Sequence, residues 1–269
     1  MTNYADMKRI FYLLILTFIF YSCEKVIDVD LNEAAPQIVI VGNLNVDSKY
    51  SDVVISLTSS YYDTLPGTKV KGAIVNVQDE KGRIYKFTEK KDGIYRSTEI
   101  KPAVNNTYKL SVLAYGKNYN AQSTLNPAVA IDSVNWVYEN GNSFIDAGYY
   151  VNVYLTDPPG IKNYYRLKIF LNKKLKNSSD DLIFFNDRYV DGNKLEYSLF
   201  NDPYQLNDTV LVQLISLDSA VYEYYKTFTE LMNTNPGSAA PANPNTNLSN
   251  GALGYFAAWS SDTMSVIIR

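Results

Sequence analysis

Apolar and polar residues alternate with a period of two along most of this chain, the pattern of strands with one buried and one wet face. "DVVISLTSS" sets Val53, Ile55 and Leu57 on one side, and "TYKLSVLAYG" sets Tyr108, Leu110, Val112 and Ala114 against Thr107, Lys109 and Ser111. "QIVIVGNLNV" (37–46) starts as an unbroken apolar run and predicts a strand buried on both faces. Turn signals at 80–82, at Asp92-Gly93 and at Gly116 separate these segments. About seven such strands over residues 36–126 predict a β-sandwich domain. "LNPAVAIDSV" then breaks the pattern with Pro127 and small residues, and cleavage there is expected to release a folded N-terminal sandwich.

A second β domain is predicted over residues 131–269, with strands at 133–138, 149–156, 164–171, 182–185, 195–200 and 209–217. The period then changes. "SAVYEYYKTFTELM" spaces Val221, Tyr224 or Tyr225, Phe228 and Leu231 helically behind a cap at Asp218 or Ser219, which predicts a helix near 219–233. Asn235, Pro236 and Gly237 end it. The stretch 235–250 has no large side chain except Leu248 and reads as a long loop without apolar anchors, either a docking element or a connector. "ALGYFAAWS" and "TMSVIIR" are expected to form a closing pair of strands.

Near the start the pattern is different again. Lys8 and Arg9 precede an apolar run at 10–21 that is about a dozen residues long, short of the roughly twenty a spanning helix needs. This is the n-region and h-region of a secretory signal, and Ser22 and the chain's single cysteine, Cys23, follow it. The arrangement resembles a bacterial lipoprotein signal. That implies a signal peptide at 1–22, acylation of Cys23 through its sulfur and an acidic tether at 23–35, with Glu24, Asp28 and Asp30 as candidates for an export signal. Phe20 and Tyr21 are larger than the usual residues before such a cysteine, and a buried thiol or an uncleaved anchor is the alternative.

Composition narrows the chemistry. One cysteine permits no internal disulfide. A net charge of -3 and a pI near 5.1 exclude a basic nucleic-acid footprint. The chain has no histidine, so Ser-His-Asp and Cys-His catalysis and His-ligated zinc are unavailable. Carboxylates, lysine, tyrosine and serine remain, but no spacing marks a carboxylate-pair hydrolase, a calcium loop, a phosphate loop or a GxSxG elbow. No catalytic residue, metal ligand or cofactor is predicted.

Tyrosine is abundant, at 24 residues. The pairs Tyr61-Tyr62, Tyr149-Tyr150 and Tyr164-Tyr165 are the candidate binding residues, one ring of each facing the core and the other lying near solvent, where it offers contact area at low entropy cost. Tyr224-Tyr225 has the same form on a helix. Asp157-Pro158-Pro159-Gly160 reads as a rigid turn, with cation ligation by Asp157 as the alternative. Asn250, Gly251 and Gly254 are expected at positive φ or close backbone approach, and Trp259 in the core.

"V-x-G-A-x-V-x-V" (70–77), "G-x-Y" (93–95) and "Y-x-L-x-V" (108–112) resemble transthyretin-like sandwich domains. The expected fold class is therefore mainly β: an N-terminal Ig-like or transthyretin-like β-sandwich, then a second antiparallel β domain with one helix. Over the whole chain, "CEKVIDVDL", "P-x-I-V-I-V-G", "LTDPPGIKNYYRLKIF", a tyrosine-rich helix and "NLSNGALGYFAAWS" occur in an order that resembles a Bacteroidota lipoprotein family, domain of unknown function forty-two forty-nine. The resemblance implies a lipid-anchored protein of the cell outer membrane, encoded beside a TonB-dependent receptor, and brings no catalytic residues. The expected function is a non-catalytic accessory or ligand-capturing partner of a TonB-dependent transporter. A structural or adhesive envelope protein and a carboxylate-based hydrolase are the alternatives.

Overall fold

The alternation above is realised in a computed structural model that describes residues 35–59, 67–232 and 242–269. Cys23, Glu24, Asp28, Asp30, Tyr61 and Tyr62 lie outside the described residues, as does part of the loop after the helix. The first strands are β1 (Ile38–Asn45), β2 (Ser51–Leu57), β3 (Ile74–Gln78), β4 (Ile84–Lys91), β5 (Ile94–Ser97), β6 (Thr107–Ala114) and β7 (Lys117–Thr124). A second set comprises β8 (Ile131–Glu139), β9 (Gly148–Thr156), β10 (Tyr164–Leu171), β11 (Lys174–Leu175), β12 (Ile183–Asn186), β13 (Lys194–Tyr204) and β14 (Thr209–Leu217). Helix α1 (Ser219–Met232) and strand β15 (Leu253–Ile267) complete the chain. No helix among the described residues is long and apolar enough to cross a membrane.

Residues 36–269 form one compact unit that holds two large cores. The first joins Ile40, Leu44, Val53 and Ile55 to Val75, Val77, Tyr108, Leu110 and Val112 across a sandwich. The second joins Leu167, Ile169, Val212 and Leu214 to Val151, Val153 and Leu155 of the separate sheet β13-β9-β8. Leu125 belongs to the first core and Val129 to the second, so the predicted break falls where the chain passes from one to the other.

What sequence alternation did not show is that both cores share the last strand. The expected closing pair is a single strand of fifteen residues. Its first half lies parallel to β1, with Gly42 opposite Phe256 and Asn45 opposite Trp259. Its second half lies antiparallel to β14, with Ser216 opposite Ser260 and Val210 opposite Val266. The polar segment 260–262 between the two expected strands has internal partners. Ser260 Oγ donates to the Asn126 carbonyl at 2.6 Å, and the Ile131 N–H donates to Asp262 at 2.8 Å. Phe256 and Ala258 therefore belong to the first core, while Met264 and Val266 pack against the second.

Three further expectations change with the register. β1 is buried on one face only: Ile38, Ile40 and Leu44 are buried, while Val39 and Val41 are half-covered. Its apolar run reflects its central position between β2 and β15 rather than two dry faces. The long loop does have an apolar anchor, because Leu248 is buried in the first core. Asn247 fixes its end further, donating to the carbonyls of Gln122 and Phe256 at 3.0 and 2.7 Å. Asn250 and Gly251 have φ of 57° and 73°, and at Gly254 (φ 95°) a Cβ would lie 2.2 Å from the Ile40 carbonyl oxygen, so only glycine fits that approach.

Candidate functional site

Registers across β10, β14, β15, β1 and β2 line up one continuous sheet, and both cores lie on the same face of it. The opposite face carries the alternate residues: Arg166 and Lys168 of β10, Ile215 of β14, Tyr255 and Trp259 of β15, Asn43 and Asn45 of β1, and Asp52 of β2. Helix α1 covers one end of that face. Asp218 caps it, accepting from the Val221 N–H at 2.8 Å, and Val221, Tyr222 and Tyr225 are its buried side. What α1 leaves uncovered is a cleft of about 400 Å³ lying across the seam between the two halves.

The cleft is basic and aromatic. Arg166 donates from Nη1 to the Tyr225 hydroxyl at 2.8 Å, which donates in turn to the Tyr255 hydroxyl at 2.6 Å. Its guanidinium lies 4.6 Å from the Tyr225 ring centre and 5.3 Å from that of Phe184. Lys168 sits 5.4 Å from the Trp259 ring centre. Burial, and then the Arg166 charge, pushes the Lys168 ammonium down to about 8. Burial also raises the Tyr225 hydroxyl well above the usual phenol range.

These two cations lack carboxylate partners. Among the described residues no acidic group forms an ion pair with either, and Arg166 Nε is buried without a hydrogen-bond partner. The one carboxylate lining the cleft, Asp52, is already committed: Arg96 holds it through Nε and Nη2, both at 2.7 Å, while stacking 3.4 Å from the Tyr50 ring centre. A cleft in a protein of net charge -3 thus holds positive charge that the protein does not neutralise.

The predicted tyrosines lie elsewhere. Tyr150 and Tyr165 are each 1 % exposed and lie out of a ligand's reach. Tyr149 is half-buried against Trp136 and Tyr138, with ring centres 5.3 and 5.1 Å away. Tyr164 packs on Tyr222 of the helix at 5.0 Å. The functional candidates that alternation missed are Arg166, Lys168, Tyr50, Tyr255 and Trp259. Trp259, expected in the core, packs half-buried against a smaller cluster of Ile215, Leu217, Val221, Tyr225 and Ala257 and also lines the cleft, with Nε1 donating to Asn43 at 3.4 Å. The available signal was "YRLKIF", where two cations two positions apart share a strand face in an acidic protein; read alone, that face passes for a solvated one.

One acidic cluster stands apart from the cleft. Carboxylate oxygens of Asp157, Asp187 and Asp191 lie within 4.8 Å of one another. Asp157 accepts from the Tyr165 hydroxyl and from the Gly192 N–H, Asp187 from the Asn163 N–H at 2.6 Å, and Asp191 from the Gly160 N–H at 2.7 Å. These bonds fasten the Pro158-Pro159 turn to the loop after β12. The Tyr165 hydroxyl is correspondingly raised, by burial first and by Asp157 second.

The family model described as "Domain of unknown function (DUF4249)" matches residues 24–265. No curated protein matches the sequence. Among solved structures, a DUF4785 family protein from Legionella pneumophila is 12 % identical, covering 66 % of this chain and 52 % of that one at a TM-score of 0.24. The FN1-FN3 domains of chicken CNTN1 are 12 % identical over 88 % of this chain and 68 % of that one, at 0.30. The chicken interferon gamma receptor alpha chain is 9 % identical over 68 % and 90 %, at 0.22. The chain belongs to the DUF4249 family.

Proposed function

We propose, from that membership, that this protein is a non-catalytic lipoprotein of the outer membrane that captures a ligand in the seam cleft for a TonB-dependent transporter. The observation behind it is the cleft itself: a preformed concave site with aromatic walls and two unneutralised cations, the composition of a binding site. No histidine is available for proton transfer. A binding role uses what is present. Acylated Cys23 would hold the site at the membrane surface, where a second acyl chain makes anchoring firm.

The test is purification of the tagged protein from detergent-solubilised outer membranes, followed by identification of what accompanies it. The expected companion is a TonB-dependent transporter, lost when Cys23→Ser leaves the membrane fraction. Recovery of the wild type at full yield with no transporter would overturn the accessory role and favour the adhesive alternative.

A further inference from the structure

Arg96 shows what this chain does with a guanidinium edge when a carboxylate is at hand: both Nε and Nη2 close on Asp52 at 2.7 Å. Arg166 has the same donors, spends Nη1 on Tyr225, and has no acid to meet. A guanidinium carries five N–H donors and matches a carboxylate in a two-bond fork. Lys168, two residues on along the same strand face, adds a second positive charge to the same cleft. Around them stand Trp259, Tyr255 and Tyr50, rings on which a flat or ring-shaped ligand stacks, and the side-chain amides of Asn43 and Asn45, which bond hydroxyl or carbonyl groups.

We propose that the seam cleft binds an organic carboxylate bearing a ring, the carboxylate held by Arg166 and Lys168 and the ring laid against the aromatic wall. The inference rests on the capture reading above and specifies its ligand class. Two sources share that chemistry, an acidic sugar and an aromatic acid, and a cleft of about 400 Å³ admits either. The overall negative charge of the protein does not attract such a ligand; the local field of the cleft does, because its one acid is neutralised by Arg96.

Binding depends on Lys168 being charged. The titratable and charged groups around it are Arg166 on its own strand, Tyr255 on β15, Tyr225 on α1, and Tyr50 and the Asp52–Arg96 pair on the β1–β2 side. With Lys168 held down to about 8, affinity is expected to fall as pH rises through that value.

The experiment titrates the purified full chain in detergent with digalacturonate, phenylacetate and neutral maltose, each up to about 10 mM, and reads Trp259 fluorescence in a Trp136→Phe background. One of the two acids is expected to bind, and which one does identifies the source. Arg166→Gln and Lys168→Gln are each expected to weaken that acid about tenfold or more, as loss of a charge-assisted bond does. An unchanged melting temperature shows the variants are folded, and Lys168→Gln, which removes no hydrogen bond, covers a failure of Arg166→Gln to fold. Binding of neither acid, or variants that bind as well as the wild type, overturns the proposal. Maltose binding as tightly as digalacturonate also overturns it, yet leaves capture by the cleft standing. Transporter co-purification tests capture separately.

Discussion

Replacing Phe256 by alanine is expected to unfold both halves of the protein at a lower temperature, although the ring touches only one core. Phe256 is fully buried and stands opposite Gly42 of β1. Its ring occupies the space above that glycine, where an added Cβ would lie 2.8 Å from it. The hole left by alanine is floored by backbone in a paired strand, which cannot collapse inward, so the cost falls in the range of about 3–5 kcal/mol for a buried phenylalanine. At roughly 2–4 °C per kcal/mol for a unit of this size, the midpoint drops by roughly 6–20 °C. Two probes decide whether the loss is shared. In a Trp259→Phe background, Trp136 on β8 reports the second half, and near-ultraviolet dichroism reports the tyrosine-rich whole. Because β15 pairs with β1 and with β14, the two signals are expected to fall together at the lowered midpoint. Trp136 melting at its original temperature while the dichroism falls earlier would refute the coupling, and would restore the separable sandwich that Pro127 suggests in the sequence.

The remaining predictions concern single side chains. Asp218 caps α1 and accepts from the Ser123 hydroxyl and the Thr124 N–H, so Asp218→Ala is expected to cost about 2–4 kcal/mol in urea unfolding. Burial raises its carboxyl above the ordinary value, so its contribution is full below the unfolded pKa and is lost as pH rises through the folded one. Asp218→Asn, which keeps an acceptor without the charge, should accordingly match or exceed the wild type at about pH 7 and lag it at about pH 4. Lys168 is depressed, so the unfolded chain binds more protons above about pH 8 and stability should rise with pH there; Lys168→Met should lack that rise, and parallel curves would contradict its burial. Cys23→Ser should move the protein from the membrane fraction to the soluble or unprocessed one, and full recovery in the membrane would remove the lipid anchor.

The strands were legible because each is a local pattern: β10 and β14 fall at 164–171 and 209–217 as alternation predicts, and α1 begins at Ser219 behind its cap. The seam was not legible, because it is made by long-range pairing. Nothing local in "NLNV" or "GYFAAWS" says that Asn45 will stand opposite Trp259 in a parallel pair, while Ser260, one residue on, turns to a different partner strand. A parallel pair also has no hairpin turn to announce it. That Trp259 also faces the cleft was hidden for the same reason. Strand alternation gives two faces but not which is covered, and here the face opposite Phe256 is closed only in part by α1.

That geometry ties the cleft to stability. Its floor is β15, the strand on which both cores depend, so a ligand resting on Tyr255 and Trp259 holds the element whose loss opens the whole unit. A ligand at about a hundred times its dissociation constant stabilises the state it binds by about 2.7 kcal/mol, close to the lower range expected for losing Phe256. The acid that binds should therefore recover most of the melting temperature lost in Phe256→Ala, and recover it for both probes at once. Recovery should fall by about half or more when Lys168→Gln is added, since a tenfold weaker ligand at the same concentration stabilises by only about 1.4 kcal/mol; the cation lies on the face opposite Phe256 and touches it only through the ligand's hold on the shared strand. Rescue undiminished in the double variant would mean the acid stabilises from some other surface, and the cleft would lose its claim to be the site.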